Sequence, residues 1–67
     1  MKKTYEVYYI GCDDDEYITV IRDVFLMYEE DGYLHFEYTN GKKSFNTDFV
    51  MYVYEVEKYS KKCVITY

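Results

Sequence analysis

The chain has 67 residues, 49% hydrophobic and 22% aromatic, which predicts one small folded domain over residues 1–67 and argues against a disordered chain. Its 13 acidic residues outnumber its 8 basic ones, and the net charge of −5 argues against direct nucleic-acid binding, which needs a basic surface. The longest apolar run, residues 24–28, is far shorter than the roughly 20 residues that cross a bilayer. We therefore expect a cytoplasmic protein with no membrane partner.

Residues 4–10 alternate in a way that predicts a first β-strand, with Tyr5, Val7 and Tyr9 on one side. Gly11 ends this strand, and the acidic run 13–16 follows it directly. A calcium loop alternates its oxygen ligands, whereas consecutive acidic side chains diverge and converge poorly on one ion. The run therefore predicts a solvated turn, and we expect no metal site.

Residues 17–28 predict a second strand that is too long and too apolar for a strand with one buried side. Apolar residues of both parities follow one another along it, and Arg22-Asp23 interrupts the inward series. We expect a bend or bulge at Arg22-Asp23, as small barrels often need.

The dipeptide Asp31-Gly32 predicts the next turn, because both residues tolerate positive φ. A two-residue loop there would set Glu29 beside Leu34. A three-residue loop over 30–32 makes the paired face apolar throughout. Since a slip of one residue inverts every side chain, we expect the three-residue loop, with Gly32 left-handed.

The dipeptide Asn40-Gly41 predicts a second tight hairpin for the same reason. If these two residues form the loop, the register places Phe36 opposite Phe45. A cross-strand aromatic pair of this kind favours that register.

Residues 46–58 fit two structures. A helix over 47–58 would leave Val50, Met51 and Tyr54 exposed and would use poor helix formers, so we expect a short turn at 47–49 and a strand over 50–58. Residues 63–67 predict a last strand. The sum is an all-β single small domain of about six short antiparallel strands in a meander, forming a small barrel or strongly bent sheet, with the short helix as the alternative.

The sequence indicates no catalytic site, since it has no phosphate-binding loop, dinucleotide-binding pattern or nucleophile elbow. His35, the only histidine, is expected on the surface, opposite the side that carries Leu34 and Phe36. Cys12 and Cys63 are expected as two unpaired thiols, with a disulfide between them as the alternative. We expect neither enzymatic activity nor a cofactor.

Tyrosine is abundant, with 11 residues, and several must lie on the surface because so small a core cannot hold every ring. Tyrosine is enriched in binding surfaces, although strand propensity alone accounts for many of these residues. Same-side strand residues repeat at about 6.6 Å, so Glu55 and Glu57 would form a row of carboxylates spaced comparably to phosphates along a nucleic-acid strand. The candidate partner-binding residues are Asp13, Asp14, Asp15, Glu16, Tyr8, Tyr33, Glu55 and Glu57.

These features predict a non-enzymatic module that binds a basic protein partner, and one version of this hypothesis has the acidic surface imitating nucleic acid. A tiny, acidic, tyrosine-rich β protein resembles in style many phage-encoded proteins that act on host enzymes, without sharing a motif with them. We therefore expect a phage or mobile-element protein of a low-GC bacterium that binds or inhibits a host protein. The alternatives are an assembly subunit that forms homo-oligomers and a small nucleic-acid-binding barrel that stacks bases on tyrosines.

Overall fold

The computed structural model describes all residues from Met1 to Tyr67 and contains six strands and no helix. The strands are β1 (Lys3–Ile10), β2 (Glu16–Glu30), β3 (Tyr33–Tyr38), β4 (Gly41–Asn46), β5 (Val50–Val56) and β6 (Lys61–Thr66). All pairings are antiparallel, so the predicted all-β class is confirmed, and residues 50–56 form the predicted strand rather than the helix. No helix long and apolar enough to cross a membrane is present.

The six strands form one sheet in the order β4-β3-β2-β1-β5-β6. The order differs from the expected meander at one connection, because β5 pairs with β1 and not with β4. Only residues 47–49 join β4 to β5, so the sheet must bend strongly to bring the end of β4 to the free edge of β1. The sheet is strongly bent, as expected, and it is not closed, since β4 and β6 remain edge strands.

Two extra residues on β2 produce the bend. The first bulge lies where Lys3 pairs with Val24 and Tyr5 with Ile21, so that β2 gains one residue at the predicted Arg22-Asp23 site. Asp23 has a positive φ of 60°. A second bulge adds Phe25 opposite β3. Each bulge increases the local twist and re-aims the side chains that follow it.

The bulges give β2 an unusual burial pattern, with inward residues three positions apart. Ile21 and Val24 are buried and Met27 is half-buried, all on the inner face. Phe25 and Leu26, between them, are exposed. A regular strand buries every second residue, so each bulge shifts the inward series by one position.

The core lies between the two halves of the bent sheet and contains no polar residue. Its buried members are Tyr5, Val7, Ile21, Val24, Leu34, Phe36, Val50 and Val53. Phe36 on β3 contacts Tyr5 on β1, with ring centroids 5.6 Å apart, although β2 separates these strands in the sheet. Tilted aromatic pairs of this kind each contribute roughly 0.5–1.5 kcal/mol beyond the area they bury.

The β2–β3 turn has a two-residue loop, and the expected three-residue loop is wrong. Asp31 and Gly32 both have positive φ, 55° and 79°, which is the signature of a type I′ turn whose twist suits a hairpin. Glu29 therefore does lie opposite Leu34. Beyond this pair, Met27 lies opposite Phe36, and the bulge at Phe25 places Val24 opposite Tyr38. The paired face is therefore apolar from Met27 onward without a three-residue loop.

The loop of the β3–β4 hairpin lies one residue earlier than expected, which shifts the strand pairing by two residues. Its loop is Thr39-Asn40, with Tyr38 opposite Gly41, so Phe45 pairs with Leu34 and not with Phe36. Gly41 supplies the positive φ, 150°, at the residue after the loop. The rings of Phe36 and Phe45 still meet diagonally, 5.9 Å apart in a T-shaped contact.

Candidate functional site

Three connections meet at one end of the molecule. The Ile10 N–H donates a hydrogen bond of 2.8 Å to the Phe49 carbonyl, which joins the end of β1 to the β4–β5 link. The Thr47 N–H and hydroxyl donate to the Gly32 carbonyl at 2.9 and 3.0 Å, which joins that link to the β2–β3 turn. We call residues 11–16, 29–32 and 46–49 the acidic end.

The acidic end concentrates the negative charge of the chain. It holds residues 13–16, residues 29–31 and Asp48, which are eight of the 13 acidic residues, and none of the eight basic ones. The rest of the chain, with five acidic and eight basic residues, is net positive. Charge of one sign gathered on one surface produces a directed field that attracts partners of the opposite sign.

The charges at the acidic end are not compensated by ion pairs. The salt bridges of the protein join Lys3 to Glu55 at 3.2 Å and Lys61 to Glu6 at 3.1 Å, both outside the acidic end. The hydrogen bond from Lys61 lowers the pKa of Glu6. Lysine side chains thus pair with Glu6 and Glu55, and no ion pair forms with a carboxylate of the acidic end.

The β1–β2 turn is a compact hydrogen-bonded loop. The Gly11 N–H donates to the Asp15 carbonyl at 2.8 Å, and the Asp14 N–H donates to the Gly11 carbonyl at 3.0 Å. Asp13 accepts from the Asp15 N–H at 3.1 Å and from the Tyr17 hydroxyl. The hydrogen bond from Tyr17 lowers the pKa of the Asp13 carboxyl, which favours its charged form.

The acidic residues do not converge on a common point. No group of three or more histidine, cysteine, aspartate or glutamate side chains is placed to hold a metal ion. The turn at residues 11–15 instead directs its carboxylates outward, where all of them are exposed.

An apolar cavity of about 250 Å³ opens within the acidic end. It lies between β4 and the ends of β1 and β5, where the bent sheet fails to close. Its apolar walls are Tyr9, Ile10, Phe45, Phe49 and Val50, and residues 11, 12, 44 and 46 also line it. The rings of Tyr9 and Phe45 meet at 5.3 Å across the gap between their strands, while Phe49 is 54% exposed.

Cys12 lines this cavity, and Cys63 lies on β6. Both thiols are unpaired and exposed, which confirms the expected free cysteines. They offer two exposed thiols, one at the cavity and one on β6 that donates a hydrogen bond to the Ile65 carbonyl at 3.3 Å.

A tyrosine cluster occupies the outer face of β1 and β5. Tyr8 contacts Tyr52 and Tyr54 with ring centroids 4.7 and 5.5 Å apart. The ammonium group of Lys61 lies 5.8 and 5.2 Å from the rings of Tyr8 and Tyr54 and also pairs with Glu6. These side chains pack against one another and pair their charges within the cluster, so the cluster stabilises the neighbouring strands β1, β5 and β6.

His35 lies on the outer face of β3, opposite the core residues Leu34 and Phe36, as the alternation predicts. Its Nδ1 atom lies 2.7 Å from the Ser44 hydroxyl oxygen, a neighbour that the sequence did not reveal because it depends on the β3–β4 register. The ring also lies 4.9 Å from that of Tyr28. His35 itself does not line the cavity described above, although its partner Ser44 does.

No protein-family model, curated protein or solved structure matches this chain, so the role of the acidic end rests on its own geometry and charge.

Five of the eight residues predicted from sequence lie at or beside the acidic end. Residues 13–16 form its first segment, and Tyr33, 45% exposed, begins β3 opposite Glu30 and Asn46. The structure brings these residues into the neighbourhood of a second acidic segment, residues 29–31. The sequence shows both acidic runs, and the hydrogen bonds of Ile10 and Thr47 connect the chain beside each run to the same β4–β5 link.

The other three predicted residues lie elsewhere. Tyr8 belongs to the tyrosine cluster on the outer face. Glu55 is paired with Lys3, and its side chain is 14% exposed. Glu57 follows the end of β5, where its N–H donates to the Ser60 carbonyl at 2.7 Å. Glu55 and Glu57 therefore do not form the expected row of free carboxylates along one strand.

Proposed function

We propose that this protein is a non-enzymatic cytoplasmic interaction module that binds a basic protein partner through its acidic end. In this proposal it is a phage or mobile-element protein that binds or inhibits a host protein. The observation that carries the proposal is the segregation of charge. Eight acidic residues gather where no basic residue lies, and no ion pair neutralises them.

This arrangement suits recognition better than stability. Uncompensated like charges repel one another and oppose the compact state, so a surface that keeps them accepts a cost in folding free energy. A basic partner would relieve that repulsion on binding. Charge complementarity of this kind raises association rates and disfavours partners of the wrong sign.

The acidic end is also the best basis for imitation of nucleic acid. Its two acidic runs and Asp48 supply free carboxylates, which the Glu55–Glu57 row does not, since Glu55 is held by Lys3. A basic groove that normally accepts phosphates would meet these carboxylates first. Binding in such a groove would inhibit the enzyme that uses it.

The test is affinity purification from a lysate of a low-GC bacterium, with charge variants as bait. The acidic-end variant carries Asp14→Asn, Asp15→Asn and Glu30→Gln, whose side chains make no hydrogen bond within the protein. We expect the wild type to retain a specific basic protein and the acidic-end variant to lose it. The retained protein is then purified and its binding titrated by calorimetry at two salt concentrations.

The matched control removes the same charge from the remainder of the molecule. The far-end variant carries Asp23→Asn, Glu37→Gln and Glu57→Gln, so its net charge equals that of the acidic-end variant. It should bind like the wild type. Equal binding by both variants, or binding that raised salt does not weaken, would show that the acidic end is not the binding surface.

A second candidate function, homo-oligomeric assembly, is favoured by a different observation. Ile18 and Val20 on β2 are 56% and 46% exposed, and the neighbouring bulge leaves Phe25 and Leu26 exposed as well. The edge strands β4 and β6 carry unpaired backbone groups that can accept another strand. Sedimentation velocity tests this function, and a single monomeric species at micromolar concentration would remove it.

A further inference from the structure

We infer that the acidic end binds a basic peptide segment of its partner, with one large apolar side chain of that segment filling the cavity between β4 and the ends of β1 and β5. This inference rests on the proposed function and names the chemistry of the partner. The occupant is defined by two features of the same site, an apolar cavity and the negative charge around it.

The cavity has the size and lining to accept one large apolar side chain. Its volume of about 250 Å³ lies below the roughly 300–1,000 Å³ of typical ligand sites. Six of its nine lining residues are hydrophobic. Protein interfaces often concentrate their binding free energy in one aromatic or aliphatic anchor that enters a pocket of this kind.

The negative charge around the cavity favours a partner peptide that has basic residues beside the anchor. Asp13 follows the lining residue Cys12 directly, and Asp48 precedes the lining residue Phe49. Asp13 is held in its charged form by the hydroxyl of Tyr17. In a peptide whose apolar anchor is flanked by lysine or arginine, the flanking cations would lie against these carboxylates while the side chain of the anchor enters the cavity.

The anchor also has a defined surface to contact. Val50 is buried at the inner wall and Phe49 is exposed at the mouth, so the cavity leads from solvent to the core. The edges of the Tyr9 and Phe45 rings, 5.3 Å apart, provide aromatic contacts for an incoming ring. A lysine or arginine alone would leave the inner apolar wall without a partner.

The experiment uses three synthetic peptides of nine residues, titrated into ¹⁵N-labelled protein and followed by NMR. The first has a central phenylalanine flanked by four lysines on each side, the second replaces phenylalanine by alanine, and the third replaces the lysines by glutamine. We expect the first peptide to bind at least about tenfold more tightly than either of the others, since truncating an anchor usually has an effect of this size or more. Its largest shifts should fall on the amides of Gly11, Phe45 and Phe49.

The two cysteines provide a matched blocking control. In a Cys63→Ser background, N-ethylmaleimide labels Cys12 and should abolish binding of the phenylalanine peptide. In a Cys12→Ser background it labels Cys63, which lies on β6 away from the cavity, and binding should be unchanged. Phe49→Ala should likewise weaken binding several-fold, whereas Phe25→Ala, an exposed phenylalanine on β2, should not.

The outcomes separate this inference from the proposed function. Equal binding of the phenylalanine and alanine peptides would overturn the anchor and leave the acidic end as a charged surface. Equal binding of the lysine and glutamine peptides would overturn the role of charge at this cavity. If no peptide binds while the purified partner still binds in the charge-dependent way described above, the cavity inference falls and the proposed function stands.

Discussion

One hydrogen bond links the last residue of the chain to the acidic end. The Tyr67 hydroxyl donates to Glu29 at 2.7 Å, and the Tyr67 N–H donates to the Met51 carbonyl at 3.0 Å. Tyr67 thus ties the end of β6 to β2, two strands that are not neighbours in the sheet. Its phenol is partly desolvated and faces a carboxylate, and these two effects, burial first, raise the pKa of Tyr67 to about 12 from its ordinary 10.0.

This contact predicts a late-titrating tyrosine. The folded state holds the Tyr67 proton more tightly than the unfolded chain does, so the contact stabilises the fold fully below pH 10 and this contribution is lost between pH 10 and about 12. Replacing Glu29 with glutamine should lower the pKa of Tyr67 toward 10.0, because it removes the carboxylate charge. Tyrosinate absorbance during an alkaline titration measures the change, and Tyr67→Phe identifies the band. An unchanged late phase in both variants would contradict the assignment.

At the scale of single elements, the β2–β3 hairpin depends on one glycine. Gly32 has φ 79°, and no atom lies within 4 Å of where a Cβ would stand. The cost of a side chain there is therefore conformational and not steric. Gly32→Ala should reduce the free energy of unfolding by about 1–2 kcal/mol.

The matched variant Gly32→Asn should cost less, since asparagine tolerates the left-handed conformation better than alanine. Urea denaturation of both variants measures the difference. If alanine and asparagine have equal effects, the left-handed geometry of the turn is not what this position requires.

The elements were easier to predict than their register. Alternation of tyrosine and valine predicts β1, and the interruption at Arg22-Asp23 predicts the first bulge, because both are local patterns. The second bulge, at Phe25, is not visible in the sequence, since a phenylalanine fits either side of a strand. The bulge places Val24 opposite Tyr38 with a two-residue loop, so an apolar paired face does not require the three-residue loop that was expected.

The sequence predicted only those parts of the candidate site whose residues are adjacent along the chain. The acidic run 13–16 can be read directly from the sequence, and Gly11 before it predicts the turn. The nearness of residues 29–31 depends on the bend of β2, and the cavity depends on the gap between β4 and the ends of β1 and β5. Glu55 was misplaced because its ion pair with Lys3 joins residues 52 positions apart.

At the scale of the whole molecule, the separated charges predict that stability and binding oppose each other. The acidic-end variant should be more stable than the wild type by about 0.5–2 kcal/mol, because it removes like-charge repulsion that no cation offsets. The far-end variant should show no such gain, since it removes negative charge from the part of the chain that is net positive, and Glu37→Gln keeps an oxygen that can accept the hydrogen bond from the Tyr28 hydroxyl. Thermal denaturation at low and high salt checks both, and the gain should shrink as salt screens the repulsion. Equal stability of the two variants at low salt would contradict the predicted repulsion.

The bend of β2 also makes the distribution of charge over the molecule asymmetric. With negative charge gathered at one end and net positive charge over the remainder, the protein is an electric dipole as well as an anion. In the proposed interaction with a basic partner, such a dipole would turn before contact, and we expect most encounters to begin with the acidic end facing the partner. The bulges that bury Ile21 and Val24 therefore also set the orientation in which the protein arrives, and salt should slow its association more than it speeds its release.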